Sequence, residues 1–165
     1  TAEYDKGRKR LAAHDIGLLL LRVSAGTTLM AHGYPKLFGG AGKQAPAIVN
    51  RLMGANYPAA VEQGGPDNFS KGLEQMGVPM ARYAAYASGL AEFGGGLALT
   101  LGLGTRLAAP AVIANMLVAI RKAHWQVGFY GQGGYELAAV LASAAGTLLL
   151  TGPGKLSLDA LLRGD

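Results

Sequence analysis

The chain has 165 residues, half of them hydrophobic and 15 % charged, with a net charge of +5. That length suits one domain, and zero cysteines exclude disulfides, thiolate metal sites and thiol catalysis within the chain. The positive balance needs no nucleic acid, because no DNA or RNA recognition motif accompanies it and basic residues beside apolar segments contact anionic lipid headgroups.

In chain order, the start is polar and basic, with Lys6, Arg8, Lys9 and Arg10, and no small-residue cleavage pattern follows it. It reads as a cytoplasmic lead and not as a signal peptide. Residues 15–33 then form an apolar segment of membrane-spanning length. Residues 34–81 are punctuated by Pro35, Gly39, Gly40, Pro46, Pro58, Pro66, Gly77 and Pro79, too densely for one long helix, and are expected to be an extramembrane loop. Within it Ile48, Val49, Leu52 and Met53 share a helical face, as do Phe69, Leu73 and Met76 after a cap at Asp67 or Asn68, so short interfacial helices are expected.

From Tyr83 to Ile120 the only charged side chains are Glu92 and Arg106. As helix, about 20 apolar residues cross about 30 Å of hydrocarbon, and this stretch is long enough to cross twice. The expectation is helices at 83–103 and 107–124 with a tight turn at Arg106, and a last one at 135–151, uncharged after Glu136. The fold class expected is therefore an all-α integral membrane protein, a single domain over 1–165, with four transmembrane helices and a long loop between the first two. Basic flanks favour cytoplasmic N- and C-termini, with the long loop outside and Arg106 in an inner turn. Gly94, Ala98 and Gly102 on the second helix, and Ala138, Ala142 and Gly146 on the fourth, give small-residue stripes for close helix approach. Pro110 suits a helix start or a mild kink.

Polar residues inside the apolar segments are the candidate site. Arg22 and Glu92 are opposite in charge, and a lone charge in the bilayer costs a few kcal/mol, so an Arg22–Glu92 ion pair is expected. It either fixes helix register, the reading favoured, or lets Glu92 handle a proton or ligand with Arg22 tuning it. A second group is expected at the outer helix ends: His32 and Lys36, Arg121 and His124, Tyr135 and Glu136. Interfacial snorkelling suffices for Lys36, Lys122, Trp125 and Tyr130, whereas His124 and Glu136 suit a quinone headgroup or another small polar ligand. Glu92, His124 and Glu136 are the candidate catalytic residues; His32, Lys36, Arg121, His124, Tyr135 and Glu136 are the candidate cofactor-binding residues. His32 and His124 have the chemistry to ligate a haem or pigment, although a histidine near a helix end is more often a hydrogen-bonding residue. No metal-binding box, nucleotide loop or catalytic serine motif is present, and Gly94 to Gly96 read as packing.

The order of these signals resembles the DoxX family of small bacterial membrane proteins. The resemblance rests on Leu19 to Arg22; His32, Gly33 and Lys36; Met76 to Pro79; Glu92 with Gly95 and Gly96; Gly104 to Arg106; His124; and Tyr135 with Glu136. It implies a multi-pass protein of the bacterial inner membrane tied to redox systems, with relatives described as membrane subunits of thiosulfate:quinone oxidoreductase or terminal quinol oxidase complexes, and others associated with oxidative-stress enzymes. The family's polar positions fall on Arg22, His32, Lys36, Glu92, His124 and Glu136. The function expected is an accessory subunit of a quinone-linked electron-transfer complex, surrounded by lipid and other membrane subunits. The alternatives are an autonomous quinone-linked oxidoreductase or proton-handling module, and a purely structural stabiliser of a respiratory or photosynthetic complex. Lacking cysteine and a strong cofactor site, the chain is not expected to catalyse alone.

Overall fold

The computed structural model describes residues 13–164, and the basic lead Thr1–Arg10 lies outside them. Among the described residues all regular structure is helical: α1 (Ala13–Phe38), α2 (Ala47–Met53), α3 (Tyr57–Glu62), α4 (Pro66–Gln75), α5 (Ala81–Leu101), α6 (Thr105–Ala119), a π-helical turn (Ile120–His124), α7 (Glu136–Thr151) and α8 (Leu158–Arg163). The four long helices form a bundle in which α1 packs along α5, α5 along α6, and α6 along α7.

α1 continues five residues past its expected end because neither Gly33 nor Pro35 breaks it. The Pro35 carbonyl instead binds the amides of Gly39 and Gly65, at 3.0 and 2.8 Å, and so ties the helix end to the following segment. That segment is folded. Tyr57 donates to the Ala31 carbonyl at 3.1 Å, Val61 is fully buried, and Leu73 of α4 joins Ala81 and Ala85 of α5 in a small core. Burial, and then the charge of Tyr34, push the Tyr57 phenol above its ordinary pKa. α4 begins with Pro66 at its first turn and Gly65 as N-cap, so Asp67 and Asn68 lie inside the helix and do not cap it. Proline at that place is preorganised for a helix start and lacks only an amide that would have no helical partner.

The main core joins α1, α5, α6 and α7 through Leu29, Leu99, Val112, Met116, Leu141 and Leu148. The tightest contact is between α1 and α5. A Cβ on Gly33 would come within 2.9 Å of both the Phe93 Cα and the Glu92 Cβ, and one on Gly96 would lie 2.6 Å from the Gly26 carbonyl and 3.0 Å from the Met30 amide. The expected stripe on α5 is thereby corrected: Gly94 faces open space, as does Gly146 on α7, and Gly95 and Gly96 are the buried positions. A helix face is chosen by its partner, and the spacing of small residues alone does not name that partner.

Large apolar side chains cover the outside of the bundle, among them Leu20, Leu90, Leu107, Leu117, Val140 and Leu150. A continuous apolar exterior of this kind marks an interaction or membrane surface. Among the described residues α1 is the helix that is both long and apolar enough to cross a membrane, and α7 is apolar but has only 16 residues. Pro110 sits in the second turn of α6 without ending it.

Candidate functional site

The register of α1 against α5 decides which charges meet. The helices are antiparallel: Gly26 faces Thr100, Gly33 faces Glu92 and Phe93, and Arg22 faces Gly102. Arg22 is therefore level with a position ten residues from Glu92 along α5 (102 minus 92), about 15 Å at 1.5 Å per residue. The expected Arg22–Glu92 ion pair is corrected on that ground. Glu92, only 3 % exposed, instead pairs with Lys36, whose Nζ lies 2.6 Å from Oε1. Lys36 is one turn beyond Gly33 on the same face of α1.

Asn115 of α6 also donates to Glu92 Oε1, at 3.0 Å, while Glu92 Oε2 is buried without a hydrogen-bond partner. The Lys36 ammonium also lies 4.7 Å from the centre of the Phe69 ring of α4, a cation–π contact. Asn115 is a residue that sequence reasoning misses. It does carry a signal, since it is the one side-chain amide between Thr105 and Ile120.

His124 ends the π-helical turn that follows α6. Such turns bulge one residue out of an α-helix, and here the imidazole Nδ1 lies 2.8 Å from the Gly133 carbonyl. That carbonyl can only accept, so Nδ1 carries a proton. The connection from α6 to α7 folds back on itself through Tyr135 N to Gly128 O and Glu136 N to Phe129 O, at 3.1 and 3.0 Å. Tyr135 stacks on Trp125 with ring centroids 5.7 Å apart and meets the Phe129 ring edge-on. Glu136 accepts from the Gly131 amide at 3.2 Å.

These elements enclose a cavity of about 390 Å³ bordered by His32, Lys36, Glu92, His124, Glu136 and Gly133. Five of the expected polar positions therefore share one space. Arg121 and Tyr135 do not border it: Arg121 is exposed, and the Tyr135 ring lies in the aromatic cluster. A larger space of about 590 Å³ lies between α4, α5 and α6, lined by apolar groups such as Phe69, Leu73, Met76, Ala87 and Ala111. Lys36, Ala119 and His124 border both spaces. Each falls within the range of about 300–1,000 Å³ usual for small-molecule sites. Among the described residues no group of three or more His, Asp or Glu side chains is placed to hold a metal ion.

The opposite end of the bundle holds a second buried polar group, which spacing along the chain does not assemble. Arg22, fully buried, donates to the Leu156 carbonyl. Asp15 Oδ1 accepts from the Lys155 amide at 3.0 Å. Asp159 of α8 accepts from the amides of Gly104 and Thr105 at 2.8 and 3.1 Å, capping α6 from 55 residues away. Burial alone would raise the Asp159 pKa, but the hydrogen bonds from Gly104 and Thr105 and the charge of Arg163 outweigh it and hold the carboxyl below its ordinary value. This clasp fastens the C-terminal segment beneath α1 and α5.

Among the described residues the chain is an all-helical bundle with an apolar exterior and a charged, ligand-sized cavity between its helix ends. The family model DoxX matches residues 17–125, two thirds of the chain, and the protein belongs to the DoxX family of membrane proteins. The match runs from α1 through the π-helical turn and stops before Tyr135 and Glu136. No curated protein and no solved structure matches the chain.

Proposed function

We propose that this protein is an integral membrane subunit of a larger quinone-linked electron-transfer complex, in which it supplies a binding site for the quinone. The observation that carries the reading is the junction of the two spaces at Lys36, Ala119 and His124. One side is small and charged, the other larger and apolar, which is the division of an amphiphile with a polar head and a hydrocarbon tail. In this reading Lys36, Glu92 and His124 hold the headgroup and α4 with α5 and α6 covers the tail. When bound, the quinone supplies the two-electron chemistry that the cysteine-free chain lacks. The residues of this chain bind and orient it and keep water away.

The reading includes four membrane crossings by α1, α5, α6 with its π turn, and α7, in a bacterial inner membrane with both termini on the cytoplasmic side. The π turn adds five residues to the 15 of α6, which gives about 30 Å. At 16 residues, α7 spans about 24 Å and requires local thinning of the bilayer. Tyr83, in the first turn of α5, and Trp125, Phe129 and Tyr130, after the π turn, are exposed, and aromatic side chains at helix ends suit the lipid–water interface.

The test is purification from native membranes in mild detergent, followed by mass spectrometry of the proteins and extracted quinones. Stoichiometric redox subunits together with quinone support the reading. Recovery of the chain alone and free of quinone overturns it. Because the chain has no cysteine, single cysteines at Arg51 and Arg106 test the topology cleanly: the first is expected to label from outside and the second only from inside.

A further inference from the structure

The folded segment between α1 and α5 holds helices of two kinds. α3 and α4 pack on α1 and α5 and bury Val61 and Leu73. α2 buries no residue. Its outward face carries Ile48 and Leu52, one turn apart and 62 % and 72 % exposed, and exposed Met53 follows at its end. Its seven residues are too few to hold a helix in water unaided, because isolated helices shorter than about 12 residues are marginal there. The apolar face of α2 therefore calls for a cover that the described residues do not supply.

Position and charge together name that cover. The Gly39 and Gly40 amides bind the Pro35 and Val61 carbonyls at 3.0 and 2.8 Å, so α2 departs from the end of α1, the helix long and apolar enough to cross a membrane. The end of a spanning helix lies among lipid headgroups. From Gly39 to Val61 the charged side chains are Lys43 and Arg51, with no acid between them, and both are exposed. Arg51 flanks the Ile48–Leu52 face, where its stem can lie along apolar surface while its head reaches a phosphate. A protein partner is usually gripped through aromatic anchors, and α2 has none. We infer that α2 lies in the surface of the bilayer that α1 crosses, with Ile48 and Leu52 in the acyl boundary and Lys43 and Arg51 on the phosphates of anionic phospholipids. The inference rests on the membrane crossing of α1 and is independent of the quinone site. α3, the main neighbour of α2, lines the open space beside His32 and Lys36 through Ala60 and Gln63, so anchoring α2 steadies that wall.

Because the chain has no cysteine, single cysteines carrying a nitroxide can be read for depth in the full chain, reconstituted in vesicles of phosphatidylcholine with phosphatidylglycerol. Oxygen concentrates among acyl chains and a nickel chelate stays in water. Labels at Ile48→Cys and Leu52→Cys are expected to respond more to oxygen. A label at Ala47→Cys, about 100° round the helix from Ile48, is expected to respond more to nickel. Val23→Cys, exposed near the middle of α1, is the reference. Val23 in lipid with Ile48 and Leu52 in water overturns this inference alone, whereas Val23 in water overturns the crossing of α1 as well. Labels at Ile48 and Leu52 that neither reagent reaches lie against protein, which also overturns it. Hydrogen exchange of the α2 amides in the unlabelled wild type guards against misfolded variants. Adding phosphatidylglycerol to phosphatidylcholine vesicles is expected to slow that exchange by up to about thirtyfold, and Lys43→Gln with Arg51→Gln to abolish the difference. Equal exchange in the two kinds of vesicle overturns the contact with anionic lipid.

Discussion

Both ends of the bundle bury charged side chains, but they differ in what those side chains touch. At the clasp end Asp15, Arg22 and Asp159 bind backbone groups: the Lys155 amide, the Leu156 carbonyl, and the first amides of α6. At the cavity end Lys36 and Asn115 converge on one oxygen of Glu92, and His124 and Glu136 leave acceptor capacity facing an open space. Backbone partners are fixed by the fold, so these contacts hold the chain together, although Nε and Nη1 of Arg22 are buried without a hydrogen-bond partner. Side-chain groups with unused hydrogen bonds around a space can exchange partners with a ligand.

This contrast predicts that mutations at the two ends separate stability from binding. The largest loss is expected from Arg22→Ala, which empties a fully buried site and strands the Leu156 carbonyl, at about 3 kcal/mol. It should appear as a lowered thermal transition in detergent, while quinone binding by the folded fraction stays as in the wild type. A comparable loss of binding after Arg22→Ala would break the comparison, because it would join the two ends into one functional unit.

Gly33→Ala presses a methyl group into the α5 backbone beside Glu92 and is expected to cost about 2 kcal/mol. Gly94→Ala meets nothing within 4 Å and is expected to be neutral or to stabilise by about 0.5 kcal/mol, because alanine is the better helix former. Equal effects of the two in chemical unfolding would contradict the α1–α5 register from which the Lys36–Glu92 pairing follows.

Lys36→Met removes the cation from a carboxylate that is 4 % exposed, and about 2 kcal/mol is expected. Adding Glu92→Leu should restore much of that stability without restoring binding, a result that a double-mutant cycle reads directly. The smallest of the losses is expected at Asp159→Asn, about 1 kcal/mol, the usual worth of a helix cap. Its sign with pH follows from the lowered pKa of Asp159. The stabilisation is present above the unfolded value near 3.9 and is lost as pH falls through the lower folded value. The gap between wild type and variant should thus be wide at pH 6 and close below about pH 4.

Much of the candidate site is legible in the amino-acid sequence. Glu92 and His124 are recognisable because polar side chains inside apolar segments are expensive and need a reason to be there. His32, Lys36 and Glu136 fall at helix ends expected to share a level, and they do border one cavity. Arg121, three residues before His124, is exposed and does not border it, because both lie in the π-helical turn, whose wider winding breaks the face that regular helical spacing would share. Glu92's partner is not legible. A sequence shows which charges need partners but not which turn of one helix lies beside which turn of another.

The sequence by itself determined the helical character, the long helices, the apolar surface and the small set of charges that must be accounted for. Spacing, glycine and proline placement and desolvation cost act locally or through composition, and all of them can be read along the chain. Only the tertiary structure decided that Lys36 and not Arg22 meets Glu92, that Asn115 joins them, and that Asp159 caps α6 across 55 residues. The first of those contacts depends on the antiparallel register set where Gly26, Gly33 and Gly96 let α1 and α5 backbones touch. Register is a property of two packed surfaces, and neither helix carries it alone.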